Sequence, residues 1–429
     1  MENFFKLKEN NTDARTEVLA GITTFMTMAY ILIVNPLILS ETGMDKGGVF
    51  TATALSSAIA TLVMALYAKY PFALAPGMGL NAFFTYSVVL NMHHSWQFAL
   101  TAVLIEGIIF ILLSAVKARE AIFNAIPMNL KNAVSVGIGL FIAFIGLANA
   151  GIVEQGGAIV QLGNLKSPTA LLAIIGLIIT GILLVKKVRG ALLIGIIITT
   201  IIGIPMKVTA LPTSILSLPP SLKNVAFKFV GWDQILSKDM FVVMFTFLFV
   251  DIFDTVGTLV GVSSKADMLD KEGKLPRVSQ ALMADAIGTV AGACLGTSTV
   301  TTYVESASGV AEGGRTGLTS LVTAGLFALS LLFAPIFTIV PGAATAPVLI
   351  LVGSFMMSSV KKIDFDDFTE SIPAFLTIAM MPFTFSIADG MVWGVISYTL
   401  LRLFSGRHKE VSLTMYLLSA LFVVWLVWK

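Results

Sequence analysis

Long apolar runs, each bounded by charge, proline or glycine, recur along the whole chain. They lie near 17–39, 48–68, 72–90, 97–116, 132–150, 168–185 and 190–205. A second set lies near 239–262, 278–296, 299–313, 315–338, 342–360, 371–387 and 388–405. A helix needs about 20 apolar residues to cross a bilayer, so the pattern predicts fourteen transmembrane segments. A polar loop, 206–238, separates the two sets and carries Lys207, Lys223, Lys228 and Lys238. A further apolar run, 412–428, follows the second set, and the pattern leaves open whether it crosses.

Two runs do not read as simple helices. One is Pro71-Phe-Ala-Leu-Ala-Pro-Gly-Met-Gly-Leu-Asn81, broken by proline and glycine. The other is Gly296-Thr-Ser-Thr-Val-Thr-Thr-Tyr-Val-Glu305, where β-branched residues favour extended backbone. They occupy the third and tenth places, which correspond if the halves are repeats. Other features match too: Ile126-Pro127 precedes the fifth run and Val340-Pro341 the twelfth, and short turns at Arg189-Gly190 and Asp389-Gly390 join the last two runs of each half. Seven is odd, so the second half enters the membrane from the opposite side. The expected fold is an all-α polytopic membrane protein, a 7+7 inverted repeat with short extended strands in segments 3 and 10. Paired interrupted segments mark the binding site in transporters of this plan, and extended backbone at membrane depth survives only when buried or lining a cavity.

Composition removes the alternatives. Of 429 residues, 56% are hydrophobic and 12% charged, about half the charge of a soluble domain. A net charge of +2 without a large basic patch gives no reason to expect a nucleic-acid partner. The single cysteine, Cys294, excludes an intrachain disulfide, and the three histidines form no zinc-binding cluster with it. The first apolar run is longer than a signal peptide's and has no A-x-A site.

Charge also orients the chain. With the N-terminus cytoplasmic, the inside loops hold Lys69; Lys117, Arg119 and Lys131; Lys186, Lys187 and Arg189; Lys265, Lys271, Lys274 and Arg277; Arg315; Lys361 and Lys362; Arg402, Arg407 and Lys409. With Lys6, Lys8 and Arg15 these make 20 of the 27 Lys and Arg, as the positive-inside rule requires.

Acids inside lipid-depth segments are functional candidates, because each costs several kcal/mol unless paired, hydrated or protonated. They are Glu106, Asp251, Asp254, Asp285 and Glu305. Asp251 and Asp254 are three residues apart, on one helix face, with no cation in their span. Two such charges favour a proton on one of them, so Asp251, Asp254 and Glu305 are the candidates for proton coupling. Glu305 lies in the second break, beside Thr302 and Tyr303; its bland reading is a helix cap. Asn81 ends the first break and both donates and accepts, which suits a heterocycle edge. Asn81 and Glu305, with Thr302 and Tyr303, mark the two breaks as the candidate substrate site. Glu106 and Asp285 read as structural acids bonding Ser or Thr on neighbours, Phe245, Phe247, Phe249 and Phe253 as packing, and Asp364–Glu370 as a solvated loop.

The segments APGMGLNAFF (75–84), FLFVDIFDTVGTLVG (247–261) and GTSTVTTYVESASGVAEGGRTG (296–317) resemble signatures of the nucleobase–ascorbate, or nucleobase:cation symporter-2, transporters, most of all the adenine/guanine/hypoxanthine permease branch. GITTFMTMAYILIVNP (21–36) and PAFLTIAMMPFTFSIADG (373–390) extend the resemblance over nearly the whole chain. It implies proton symport of purine nucleobases into the cell across the cell membrane, without a cofactor, by a homodimer. It further implies a core domain, 17–116 with 239–338, that slides against a gate domain, 132–205 with 342–405. Residues 1–16 would then be a cytoplasmic N-terminus and 406–429 a C-terminal apolar segment. The family's substrate residues fall on Asn81, Asp251 and Glu305, with Asp254 in support. Uracil- and xanthine-type members carry Glu where Asp251 stands. Some uracil-type members add His where Thr255 stands, so a histidine relay is not expected here.

Two rival classes remain. A membrane enzyme would need a nucleophile with its base or a metal cluster, and the sequence offers neither. An anion transporter on the same plan would favour a cationic lining over three acids at the breaks.

Overall fold

The computed structural model describes residues 2–115, 126–156, 160–211, 214–265, 268 and 275–428. Of the cations placed inside above, Lys117, Arg119, Lys271 and Lys274 lie outside these residues. The first half runs α1 (Ala14–Met28), α2 (Ile31–Ser40), α3 (Lys46–Val63, continued to Ala68), β1 (Leu74–Pro76) and α4 (Met78–Ala82, continued to Asn91 in wide π-type turns). It goes on through α5 (Trp96–Ala115), α6 (Met128–Asn149), a hairpin β2 (Val153–Gln155) and β3 (Val160–Leu162), α7 (Pro168–Val185) and α8 (Ala191–Gly203). The second half repeats the order as α9 (Lys238–Lys265), α10 (Val278–Leu295), β4 (Val300–Thr302), α11 (Ser306–Ala311), α12 (Gly317–Ser330, continued by short turns to Thr338), α13 (Gly342–Met356), α14 (Phe368–Thr384) and α15 (Ile387–Phe404). A last helix, α16 (Leu413–Trp428), follows.

Each half thus carries a strand leading into a short helix in its third place, in keeping with the inverted repeat read from the sequence. Among the described residues nine helical stretches are long and apolar enough to cross a membrane. Segments 3 and 10 miss that length because the strands divide them. Leu413–Val424, like Ala191–Gly203, is apolar but shorter.

Local sequence sets the helix ends. Asp13, Asp45, Ser167 and Thr316 accept N–H groups of the first turns of α1, α3, α7 and α12. The sequence reads 17–39 as one run, but the structure breaks it at Ala29-Tyr30. Glu17 is fully buried, and its carboxylate accepts the N–H groups of Arg315, Thr316 and Thr319 and the Thr319 hydroxyl. A carboxylate at a helix N-terminus gains from the dipole and from the orphan donors there.

The helices sort into two groups. α10 packs on α3 and α5, and α12 on α1 and α3. α6 packs on α13 and α14, and α7 on α8 and α13. The crossing of α6 and α13 needs glycine on both sides. A Cβ on Gly353 would stand 2.3 Å from the Gly139 carbonyl oxygen, and one on Gly139 would stand 2.7 Å from that of Gly353.

Two readings are refined here. Asp364–Glu370 is not simply a solvated loop: Asp367 caps α14 and pairs with Arg407, while Glu370 pairs with the buried Arg402. Hydrogen bonding to the Arg407 guanidinium holds the Asp367 carboxyl well below the usual range. The phenylalanine stripe is packing, as expected: Phe247 meets Phe83 edge to face, and Phe245 and Phe249 both meet Phe422 of α16.

The two breaks meet. β1 and β4 pair antiparallel, with Leu74 opposite Thr302, Ala75 opposite Thr301 and Pro76 opposite Val300. A two-stranded ladder leaves outer backbone groups that no water satisfies, and side chains fill them. The Thr61 hydroxyl donates to the Leu74 carbonyl at 3.1 Å and accepts the Leu74 N–H at 3.0 Å. Thr289 donates to the Val300 carbonyl, Ser306 accepts the Ala73 N–H, and Ser320 donates to the Phe72 carbonyl. Thr61→Val is nearly isosteric but strands both Leu74 groups. It should cost about 2 kcal/mol or more, measured as a lower melting temperature in detergent that Thr61→Ser does not reproduce.

Candidate substrate site

Most of the candidate residues have a specific hydrogen-bond partner. Asn81 is fully buried; its Nδ2 donates to the Pro76 carbonyl at 3.5 Å and its Oδ1 accepts the Ser298 hydroxyl. Its amide therefore ties the first break to the second. The Tyr303 hydroxyl donates to the same Pro76 carbonyl at 2.5 Å, and its N–H donates to Ala73 at 3.0 Å. The Gly77 N–H donates to the Thr299 carbonyl, extending the ladder on the other side. The Thr302 hydroxyl is buried and has no hydrogen-bond partner among the described residues.

The acids take different neighbours. Thr255, one turn after Asp251, lies 2.8 Å from Asp251 Oδ1 and 2.8 Å from Asp285 Oδ1, so Asp251 faces α10. Asp254 faces β4 instead, its Oδ2 3.4 Å from the Thr301 hydroxyl. Three residues along a helix leave about 60° between side chains, enough to send the two carboxylates to different neighbours. Glu106 Oε2 accepts the Thr299 hydroxyl at 2.6 Å. Glu106 and Asp285 thus bond neighbouring threonines, and through Thr299 and Thr255 they also brace the site.

Glu305 stands at the start of α11, but its side chain caps nothing there. Oε1 accepts the Tyr30 phenol at 2.7 Å. The residue is half-buried. Its carbonyl is held by the Ser308 hydroxyl at 2.6 Å. A partly accessible carboxylate with one oxygen anchored can accept a donor from a planar heterocycle.

Sequence reasoning missed Asn35, Ser298 and Tyr30. Asn35, on α2, donates to Thr53 at 2.7 Å and to Thr297 at 2.8 Å, fixing the entry to β4. A buried amide in an apolar run is a detectable signal. Tyr30 and Ser298 carry none, because both residue types are ordinary in helices and loops.

Two equivalent halves whose broken segments cross amid buried acids define a transporter of the inverted-repeat class. The chain belongs to the permease family Xan_ur_permease, whose match spans residues 15–392. It is 46% identical over 438 residues to the guanine/hypoxanthine permease PbuG of Bacillus subtilis, covering 100% of this chain and 99% of that one. It is 44% identical over 428 residues to the adenine permease AdeP of Escherichia coli, covering 100% and 96%. Its fold matches the transmembrane domain of a cyanobacterial bicarbonate transporter, BicA, with a TM-score of 0.66 at 15% identity over 89% of this chain and 97% of that one.

The crossing leaves little spare volume. A Cβ on Gly77 would stand 2.9 Å from Thr301 Oγ1, 3.0 Å from its methyl and 3.3 Å from Asp254 Oδ2. Gly77→Ala should therefore displace Thr301 and Asp254 and destabilise by about 1–3 kcal/mol. Adding Thr301→Ala, which removes the clashing atoms, should recover most of that loss in thermal unfolding.

Proposed function

We propose that the chain imports purine nucleobases by proton symport across the cell membrane, with 6-oxopurines such as guanine and hypoxanthine favoured and adenine possible. The observation that carries this reading is the half-buried carboxylate of Glu305, anchored through Oε1 by Tyr30, in a chain whose relatives include named purine permeases. A purine is flat and neutral near pH 7 and presents ring N–H donors. An ionised carboxylate accepts these strongly, and the aromatic face of Tyr303 can cover the ring. Asn81 and Thr302 belong to the two crossing segments, and Asp251 lies on α9, which packs on β4.

Hydrogen-bond counting supports a proton held between two of the acids. The Thr255 hydroxyl has one hydrogen and can donate to one carboxylate only. Its second short contact is favourable when the other acid carries a proton and donates back. Asp251, through Thr255 and Asp285, is therefore the first proton-coupling candidate, with Asp254 and Glu305 next.

Residues 17–116 and 239–338 act as the core and 132–205 and 342–405 as the gate; their separate packing supports an elevator-like slide. Core and gate touch through a polar cluster. Tyr86 donates to Glu41 at 3.0 Å, and Asn149 of α6 donates to Tyr86 at 3.0 Å and Glu41 at 3.2 Å. The reading includes a cytoplasmic N-terminus and a homodimer.

Uptake of labelled guanine, competed by other nucleobases and by sulfate, tests the substrate class; competition by sulfate but not by purines would favour an anion transporter. Glu305→Gln replaces an acceptor oxygen with a donor and should weaken purine binding at least tenfold, about 1.4 kcal/mol; unchanged affinity removes Glu305 from the site. Asp251→Asn should abolish accumulation in vesicles with an imposed pH gradient while purine counterflow continues, and Asp254→Asn should do so more mildly. Retained accumulation by Asp251→Asn would move the proton to another acid.

A further inference from the structure

We propose that Tyr30 is a positioning residue for substrate recognition: its phenol anchors Glu305 Oε1 so that Oε2 is the oxygen presented to the purine. The inference rests on Glu305 binding purine, as argued above. Tyr30 is 1% exposed, so the phenol itself lies behind the carboxylate. It occupies the break between α1 and α2, on the opposite half of the repeat from Glu305. The hydrogen bond of 2.7 Å is charge-assisted and spans 275 residues of sequence.

A second contact from the same helix end reinforces it. The Thr27 hydroxyl lies 2.9 Å from Ser308 Oγ, which in turn donates to the Glu305 carbonyl at 2.6 Å. The end of α1 therefore holds Glu305 at both its backbone and its side chain. The other acids of the site bond threonine hydroxyls, those of Thr255, Thr299 and Thr301. Glu305 takes a phenol instead, delivered by a rigid ring. With one oxygen fixed, the carboxylate cannot turn both oxygens to the ligand. The site then accepts one in-plane N–H at a set angle, and less side-chain freedom is lost when substrate binds. Removing the phenol frees the carboxylate to rotate.

The test uses the full chain in proteoliposomes with guanine as probe. Tyr30→Phe keeps the ring and deletes only the donor. It should raise the KM for uptake about tenfold, with the maximal rate within about twofold and the melting temperature unchanged. In a double-mutant cycle with Glu305→Gln, Tyr30→Phe should add no further loss of guanine binding, because it acts through the carboxylate. Ser308→Ala loosens the Glu305 carbonyl but leaves the carboxylate anchored, and it should lower the melting temperature without the rise in KM. Fully additive losses in the cycle, an unchanged KM in Tyr30→Phe, or an equal rise in KM for Ser308→Ala would each overturn the assignment while wild-type guanine binding stands. Wild-type protein that binds no guanine would instead overturn the substrate reading itself.

Discussion

Backbone groups cannot be left unpaired where water is excluded, and the architecture at the centre of this protein follows from that constraint. Pro76, Gly77 and the β-branched run at 300–302 keep the third and tenth segments from being continuous helices. Extended backbone then exposes N–H and C=O groups at membrane depth, at several kcal/mol each if unsatisfied. Pairing the two strands settles one edge. The hydroxyls of Thr61, Thr289, Ser306 and Ser320 settle groups on the outer edges. Those four residues sit on different helices, so the crossing also fixes how α3, α10, α11 and α12 pack.

The same requirement sorts the buried acids. Glu17 caps α12 and is accounted for structurally by four hydrogen bonds. Glu106 holds Thr299 as β4 begins. Asp251 and Asp285 share Thr255, and Asp254 reaches Thr301. Glu305 differs in taking a phenol, that of Tyr30, from the other half of the repeat. Burial alone would have ranked Glu17 and Glu106 above it; the distribution of partners reverses that order.

The fold shared with a bicarbonate transporter at 15% identity carries no substrate with it. A strand crossing with facing short helices is a scaffold, and the side chains lining it decide what binds. Here those are carboxylates, hydroxyls and an amide, a set suited to a neutral ligand with N–H donors rather than to an anion.

Apolar run length, the alternation of positive charge and the paired proline- and threonine-rich interruptions were sufficient to read the polytopic class, the two equivalent halves and the positions of the breaks, because lipid imposes those patterns locally on any spanning chain. The motifs around Asn81, Asp251 and Glu305 were legible for the same reason: a polar group in an apolar run stands out. Partner choice was not legible. Nothing in the spacing of Asp251 and Asp254 says that one turns to Asp285 and the other to Thr301, since that depends on which helices flank α9. Tyr30 and Glu305 are far apart in sequence and unremarkable in type at the first position. Only the folding of the first half onto the second brings them within a hydrogen bond, because such contacts are set by the packing of distant segments and leave no local pattern in the chain.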